Sequence, residues 1–209
     1  MLFIGNSDEQ RLVEQLRNGD NGAMEAFYSQ YAPYLKGVCL RYVPDKEAAK
    51  DVFQNALVRM ITHTAEFRYQ GQGSLQGWAT RIVVNEALRY LRDNKRHELT
   101  AWDGDITELP EEDDPPIRDI PPEVIHQMVR QLPTGYRTVF NLYVIEDKSH
   151  EEIASLLGIS TGTSTSQLHR ARRLLAGMIE QYNLAYPYLN LETNQTYNDL
   201  LQKYKTLSE

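Results

Sequence analysis

Residues 149–173, SHEEIASLLGISTGTSTSQLHRARR, decide how the C-terminal half of this chain folds. Ser149 is followed three residues later by Glu152, a capping-box spacing that predicts the start of a helix. Gly158 stands at the predicted end of that helix, because glycine readily adopts the positive φ of a C-cap. A second helix follows after a short turn and ends in a cluster of arginines. Two such helices around a tight turn are typical of a helix-turn-helix that reads duplex DNA.

The second helix carries side chains suited to contact DNA. Ser160 or Thr161 can cap it, and the apolar spacing predicts that it runs to about Ala176. Polar side chains in its first turns are expected to read base edges, and the arginines after them to contact phosphates. The expected duplex contacts are Thr161, Thr163, Thr165, Ser166, Gln167, His169, Arg170 and Arg173. The residues expected to face inward are Leu168, Ala171, Leu174 and Leu175. A helical hairpin with a solvated basic face is the plainer alternative for this segment.

The chain of 209 residues carries a net charge of −7, opposite in sign to that of a typical DNA-binding protein. Its acids are concentrated, since residues 98–123 hold ten acidic residues and one base, a net charge of −9. The rest of the chain therefore carries +2 and is close to neutral. Residues 102–122 also contain several prolines, which oppose a packed helix. We therefore expect this segment to be an extended or mobile linker between two domains.

Both segments that flank the linker show helical periodicity almost throughout, and the period of two that marks strands is scarce. We therefore predict an all-α protein with two small helical domains joined by an acidic, proline-rich linker, the second domain containing the helix-turn-helix. The predicted boundaries are residues 1–98 for the first domain, 99–121 for the linker, 122–181 for the second domain and 182–209 for a C-terminal extension. One long helix is expected from Ser74 through Arg96, and a short amphipathic helix at residues 197–207.

The composition argues against several classes of protein. Cys39 is the one cysteine, so no disulfide can form within the chain, which fits the reducing cytoplasm. The first residues lack the basic and apolar regions of a signal peptide, and no apolar run approaches the roughly 18 residues that span a membrane. The histidines show neither metal-ligand nor nucleophile spacing, and no phosphate-binding loop is present. We therefore expect a protein that is not an enzyme, with no catalytic residue, no metal and no cofactor.

A second group of candidate residues lies between residues 67 and 92. Aromatic side chains, a glycine-containing loop, amides and a basic helix follow one another here. Proteins that bind single-stranded DNA use this combination, since aromatic rings stack on bases, arginines contact phosphates and amides contact base edges. A core position is the favoured interpretation of Trp78, so the signal from this segment alone is weak.

Four motifs occur in an order that is characteristic of one family. They are DKEAAKDVFQ (45–54), GSLQGWATRIVVN (73–85), LPTGYRTVF (132–140) and the helix-turn-helix with HRAR (169–172). Over residues 8–180 the chain resembles an extracytoplasmic-function (ECF, group 4) sigma factor of the sigma-70 family. The resemblance implies a subunit that binds core RNA polymerase, recognises the −35 and −10 promoter elements and promotes DNA melting.

The resemblance also assigns roles to individual residues. The first domain would bind the clamp helices of the polymerase β′ subunit and the −10 element, and the second would dock on the β flap and read the −35 element. The implied polymerase-binding residues are Asp45, Asp51, Gln54 and Asn55. The implied −10 contacts are Arg68, Tyr69, Arg81, Asn85, Arg89 and Arg92. An anti-sigma factor is a further expected partner, and no stable insertion into a membrane is expected.

The chain departs from the family pattern at a few positions. Asn55 stands where the family usually has Glu, and Ser164 stands where an apolar residue is common. Thr165 and Gln167 replace residues that are usually Lys or Arg, and the loss of two cations should weaken phosphate-driven binding and its salt dependence. The alternative function is a helix-turn-helix regulator that binds duplex DNA without polymerase, usually as a symmetric dimer.

Overall fold

The computed structural model describes residues 6–100 and 120–185. Both ranges are helical and contain no strand, which confirms the predicted all-α class. The chain divides into two compact units between Asn94 and Lys95. Nearly all of the predicted linker, and the predicted extension beyond residue 185 with its helix at 197–207, lie outside the described residues. In the described ranges, no helix is both long and apolar enough to cross a membrane.

From residue 6 onward, the first unit contains four α-helices and one 3-10 turn. In chain order these are α1 (Asn6–Arg17), α2 (Asn21–Tyr42), α3 (Lys46–His63), the 3-10 turn (Thr64–Glu66) and α4 (Ser74–Asn94). Helix α4 packs against both α2 and α3, and α1 packs against α2 and the 3-10 turn. The core therefore lies between α2, α3 and α4, where large side chains are buried. Its largest members are Leu35, Val38, Tyr42, Leu75, Val83, Leu88 and Leu91.

Aspartates cap two of the helices of the first unit, α2 and α3. Asp20 accepts a hydrogen bond from the Ala23 N–H at 3.0 Å, and Asp45 accepts one from the Ala48 N–H at 2.8 Å. Each carboxylate bonds an N–H that has no partner within its own helix, a contribution of about 1 kcal/mol. Asp20 and Asp45 are thus the N-caps of α2 and α3.

An ion pair joins α3 to α4. The Arg59 guanidinium on α3 contacts the carboxylate of Glu86 on α4, and Glu86 is buried. Burial of a carboxylate is unfavourable unless a partner offsets the loss of hydration, which the guanidinium does here. The pair therefore helps to fix the orientation of α4 on α3.

The second unit contains five α-helices and one π-helical turn among its described residues. They are α5 (Arg96–Thr100), α6 (Pro122–Gln131), α7 (Thr134–Phe140), the π turn (Asn141–Ile145), α8 (His150–Leu157) and α9 (Thr161–Ala185). Helix α9 packs against α6, α7 and α8, and α5 packs against α7. The interior of this unit contains Leu99, Leu132, Leu142 and Ile153, all fully buried.

The end of α4 differs from the prediction. The helix ends at Asn94 instead of Arg96, and Arg96 begins the separate helix α5. The Asn94 amide donates to the Tyr90 carbonyl at 3.0 Å, which is typical of a side chain that competes with helix propagation. Leu99 on α5 is then buried inside the second unit, and burial of a leucine contributes about 1.5–3 kcal/mol.

The helix-turn-helix forms as its sequence predicts. Ser149 accepts from the Glu152 N–H at 3.2 Å while its own N–H donates to the Glu152 carboxylate at 2.9 Å, so the capping box is confirmed. Gly158 ends α8 with a φ of 67°. Of the two candidate caps of α9, Ser160 is the one used, since its hydroxyl accepts from the Thr163 N–H at 2.9 Å.

The length of α9 and the position of Leu174 were predicted wrongly. The helix continues to Ala185 instead of stopping near Ala176. Leu174 is 41 % exposed, whereas Ala171 and Leu175 are buried. With 3.6 residues per turn, the inward stripe that contains Ala171 and Leu175 leaves Leu174 at its edge.

Candidate nucleic-acid and polymerase interface

The outer face of α9 is formed by residues one turn apart. Thr161, Thr165, His169 and Arg173 are exposed at a spacing of four residues, which places them on one face of the helix. Ser166 lies beside them and is partly buried. The face therefore offers hydroxyls and an imidazole near the helix N-terminus and a guanidinium further along, the groups that contact base edges and phosphates.

Thr163 and Gln167, also predicted as DNA contacts, have partners within the unit. The Thr163 hydroxyl lies 2.8 Å from the Ser160 hydroxyl in the N-cap. Gln167 is 2 % exposed, and its Nε2 donates to the Leu99 carbonyl at 2.8 Å. Gln167 follows the buried Ser164 by three residues and precedes the buried Ala171 by four, so it belongs to the inward stripe. That spacing is visible in the sequence and could have identified Gln167 as an interior residue.

Arg170 lies between the outer face of α9 and helix α7. It is partly buried, and its Nη1 donates to the Tyr136 hydroxyl at 3.1 Å. This bond holds the Arg170 guanidinium in one orientation. The side chain therefore loses less conformational entropy when it contacts a phosphate.

A histidine and a serine connect the two helices of the helix-turn-helix. His150 Nδ1 lies 2.8 Å from the Ser164 hydroxyl, and Ser164 is fully buried. The imidazole also stacks on Tyr143, with ring centroids 4.7 Å apart. Burial lowers the pKa of His150 below its ordinary value, although the charge of Glu151 opposes the shift. Ser164 stands where an apolar residue is common in the family that this chain resembles. Its polar contact with His150 therefore takes the place of an apolar one.

The first unit presents a basic face on α4. Arg81, Asn85, Arg89 and Arg92 are all exposed. Their spacing of four, four and three residues places them within about 80° of one another around the helix axis. Asp93 Oδ2 lies 3.8 Å from Arg89 Nε, and an exposed ion pair of this kind contributes little to stability. Three guanidinium groups and one amide on one face match the phosphates and base edges of a DNA strand.

The loop before α4 carries the two remaining candidates for the −10 contact. Arg68 is exposed and Tyr69 is half-buried. Phe67 is buried, and its ring centroid lies 5.0 Å from that of Trp78 in the second turn of α4. This aromatic pair anchors the start of the loop, and Trp78 is half-buried, so it contributes to packing as the sequence indicated.

The exposed face of α3 contains the predicted polymerase contacts Asp51, Gln54 and Asn55. Sequence reasoning missed two apolar residues on this side of the helix, Val58 and Ile61, which are 60 % and 53 % exposed. Val58 lies seven residues after Asp51 and four after Gln54, so the helical period alone places it on the same face. Exposed β-branched residues beside polar groups are typical of a protein-binding surface.

Asp45 has a different setting from the other predicted polymerase contacts. It precedes α3, and its carboxylate serves as the N-cap through its bond to Ala48. The residue therefore supports the start of the helix whose exposed face holds Asp51. Across the residues that the structure describes, no group of three or more metal-ligating side chains occurs.

Comparison with known proteins relates both units to one family. Family models match twice, Sigma-70 region 2 over residues 27–97 and Sigma-70 region 4 over residues 123–175. The chain is 30 % identical over 184 residues to the RNA polymerase sigma-H factor of Pseudomonas aeruginosa, covering 83 % of this chain and 94 % of that protein. It is 28 % identical over 183 residues to the ECF RNA polymerase sigma-E factor of Haemophilus influenzae, covering 82 % and 95 %.

Two solved structures also match this chain. One is CnrH in complex with the cytosolic domain of CnrY, with a TM-score of 0.43 and 20 % identity over 81 % of this chain and 96 % of that chain. The other is the sigma factor RpoE of Bartonella quintana in complex with the anti-sigma factor NepR, with a TM-score of 0.43 and 19 % identity over 75 % and 96 %.

A helix-turn-helix unit together with a second helical unit bearing an exposed basic helix defines a DNA-binding protein. The two region matches and the identity to a curated relative over most of its length specify the family. The chain belongs to the sigma-70 family and is an RNA polymerase sigma factor of the extracytoplasmic-function type, acting in transcription initiation. Sigma factors are non-catalytic subunits, so the prediction that the chain is not an enzyme is confirmed.

Proposed function

We propose that this sigma factor acts through three surfaces: the exposed face of α3 for core polymerase, the loop and basic face of α4 for the −10 strand, and the outer face of α9 for the −35 duplex. The basic face of α4 is the observation that carries the proposal, because exposed guanidinium groups behind an aromatic loop suit an unpaired strand. A regulator of duplex DNA alone would need only the helix-turn-helix unit.

On α3, the polymerase surface centres on Asp51, Gln54 and Asn55. The exposed Val58 and Ile61 supply an apolar patch beside these polar groups, the composition that a protein interface requires. The proposed partner surface is the pair of clamp helices of the β′ subunit. The second unit docks on the β flap in this proposal, as the family resemblance implies. Asp45 contributes by capping α3 rather than by direct contact.

In the proposed −10 interaction, Arg81, Arg89 and Arg92 contact phosphates of the non-template strand and Asn85 contacts a base edge. Arg68 and Tyr69 lie in the adjacent loop, where an unstacked base would be held. No covalent bond changes in this step. The free energy that favours melting comes from capture of the unpaired strand, which shifts the equilibrium towards the open duplex.

In the proposed −35 interaction, side chains of the outer face of α9 read base edges in the major groove and arginines contact phosphates. The base-reading residues are Thr161, Thr165, Ser166 and His169, and the phosphate contacts are Arg170 and Arg173. Thr163 supports the helix N-terminus, and the buried Gln167 supports the fold. With Thr165 in place of a cation, fewer counterions are released on binding, so the salt dependence should be shallow.

The proposed partners are core RNA polymerase, promoter DNA and an anti-sigma factor, and the proposed location is the cytoplasm, where polymerase and promoter DNA are found. The anti-sigma factor follows from the family resemblance. A single cysteine, which excludes an internal disulfide, is consistent with this compartment.

Transcription from a promoter library by core RNA polymerase, with and without this chain, tests the proposal. Transcripts that depend on the chain and begin at defined sites support it, and their templates give both promoter elements. Duplex binding by the chain alone, with no dependence of transcription on it, would contradict the proposal and favour the duplex-only regulator.

A further inference from the structure

Glu9 on α1 is a buried carboxylate that bonds the segment at the start of α4. It is 3 % exposed. One oxygen accepts from the Gly73 N–H at 2.7 Å, and the other accepts from the Leu75 N–H at 2.8 Å. The first N–H groups of a helix have no partner within it, and here a side chain 66 residues earlier than Leu75 supplies one.

Burying a carboxylate is strongly unfavourable unless its oxygens are bonded, as both are here. The positive end of the α4 dipole adds to the attraction. Ser74, the first residue of α4, uses its hydroxyl to accept from the Gln70 N–H at 3.2 Å. That local bond closes the loop, while the carboxylate that caps α4 comes from α1.

The loop that Glu9 holds is residues 67–73, which carries two of the proposed −10 contacts. Gly71 and Gly73 have φ values of 112° and 84°, a region that other residues rarely adopt, so the path of the loop depends on its glycines and on bonds from outside it. Tyr31 on α2 lies close to Glu9 and to Tyr69 of this loop. Burial, and then the charges of Glu9 and Tyr69, raise the pKa of Tyr31 to about 12.

We propose that Glu9 is a positioning residue for capture of the −10 strand. Its bonds to Gly73 and Leu75 fix the loop against α4. Arg68 and Tyr69 in the loop therefore stay in one position relative to the basic face of α4. Helix α1 lies before residue 27, where the match to Sigma-70 region 2 begins. A helix outside the matched region therefore takes part in promoter opening. The inference rests on the proposed −10 surface.

The test uses full-length chains bound to core polymerase, with Glu9→Ala, Glu9→Gln and the matched control Glu14→Ala, an exposed carboxylate on the same helix. Three quantities are measured: the chain concentration that gives half-maximal transcription, the transcript yield at saturating chain, and the affinity of the holoenzyme for a labelled single-stranded oligonucleotide. The oligonucleotide spans the −10 element, non-template strand, of a promoter recovered from the library. The amide resonance of Gly73 in ¹⁵N-labelled chains reports the hydrogen bond directly.

Glu9→Ala should lower the oligonucleotide affinity and the saturated yield about tenfold, because hydrogen bonds to charged acceptors are among the stronger ones. The half-saturating concentration should not change. Glu9→Gln keeps one oxygen acceptor, so its oligonucleotide affinity and saturated yield should fall between those of Glu9→Ala and those of the unchanged chain. This variant provides the test if Glu9→Ala fails to fold. Glu14→Ala should match the unchanged chain.

Unchanged oligonucleotide affinity in the folded Glu9 variants would overturn the inference. A raised half-saturating concentration with unchanged oligonucleotide affinity would also overturn it, because Glu9 would then support only polymerase docking. Failure of the unchanged holoenzyme to bind any −10 oligonucleotide would instead refute the proposed −10 surface, so the two failures are distinguishable.

Discussion

The side-chain amide of Gln167 donates to the carbonyl of Leu99 at 2.8 Å, across 68 positions of the chain. This bond attaches α5 to the helix that reads DNA in the proposed −35 interaction. Thr134 reinforces it, since its hydroxyl donates to the Glu98 carboxylate at 2.5 Å. Lys95 and Thr134 together lower the pKa of Glu98 below its ordinary value, chiefly through their hydrogen bonds. Two side chains thus hold α5 in place, Gln167 of α9 through a bond to its backbone and Thr134 of α7 through a bond to the Glu98 side chain.

Gly135 makes this attachment possible. A Cβ at Gly135 would lie 2.9 Å from the Gln167 Nε2 and 3.0 Å from the Glu98 carbonyl oxygen. Gly135→Ala should therefore displace Gln167 at an overpacking cost of about 1–3 kcal/mol. The roughly 1 kcal/mol gained in helix propensity offsets part of this cost, so the free energy of unfolding should fall by up to about 2 kcal/mol. Urea denaturation of the full chain measures the change.

Gly177→Ala is the matched control for Gly135→Ala. Gly177 also lies in a helix, and a Cβ there would meet no atom within 4 Å. This substitution should raise the free energy of unfolding by about 0.5–1 kcal/mol. Equal effects of the two substitutions would mean that the space around Gly135 does not hold α5 in place.

Gln167 and His169 should respond in opposite ways to truncation, although both were predicted as DNA contacts. Gln167→Ala should lower the free energy of unfolding by about 1–3 kcal/mol, because it removes a buried hydrogen bond, and should leave −35 duplex affinity nearly unchanged at temperatures where the chain is folded. His169→Ala should leave stability unchanged within about 0.5 kcal/mol and reduce duplex affinity, since His169 is exposed. Fluorescence anisotropy with a −35 duplex, beside urea denaturation, separates the two effects. A larger loss of affinity for Gln167→Ala than for His169→Ala would reverse the assignment.

The α3 surface is tested by Asp51→Arg combined with Gln54→Ala. Both residues are exposed, so the fold should be retained, while the reversed charge should weaken binding of core polymerase about tenfold or more. Surface plasmon resonance with immobilised core enzyme measures the affinity. Glu25→Arg reverses an exposed charge on α2 instead and should have little effect. Normal affinity in the double variant would remove α3 from the polymerase surface.

Much of this fold follows from local sequence, and the remainder depends on distant contacts. The capping box at Ser149 and the C-cap at Gly158 involve neighbours within four residues, so the local sequence predicted them correctly. Helix α5 was not predicted, because its position depends on the space left by Gly135 and on a bond from Gln167. The Glu9 cap was missed for the same reason, since nothing near Leu75 in the sequence points to an acid 66 residues earlier.

The candidate site also has features that the sequence predicts and features that were missed. The basic residues of α4 share one face because of the helical period, which the sequence contains. The burial of Gln167 and the exposure of Val58 could also have been found from that period. The polar side chain of Gln167 in the first turns of α9 led to its prediction as a DNA contact, whereas the spacing to Ser164 and Ala171 places it inside. In this helix the period describes the burial of Gln167 correctly, whereas the polar character of the side chain does not.

The contact between His150 and Ser164 should make the stability of the second unit depend on pH. Burial lowers the folded-state pKa of His150, and Glu151 opposes this shift, so the unfolded chain binds a proton more readily than the folded one. The contribution of neutral His150 is therefore fully present above the unfolded pKa near 6.5 and is lost as the pH falls through that value towards the folded pKa. Urea midpoints between pH 8 and pH 5 should fall in the unchanged chain, and His150→Gln, which keeps a polar side chain beside Ser164, should fall less. Parallel pH profiles of the two chains would show that protonation of His150 does not contribute to the loss of stability.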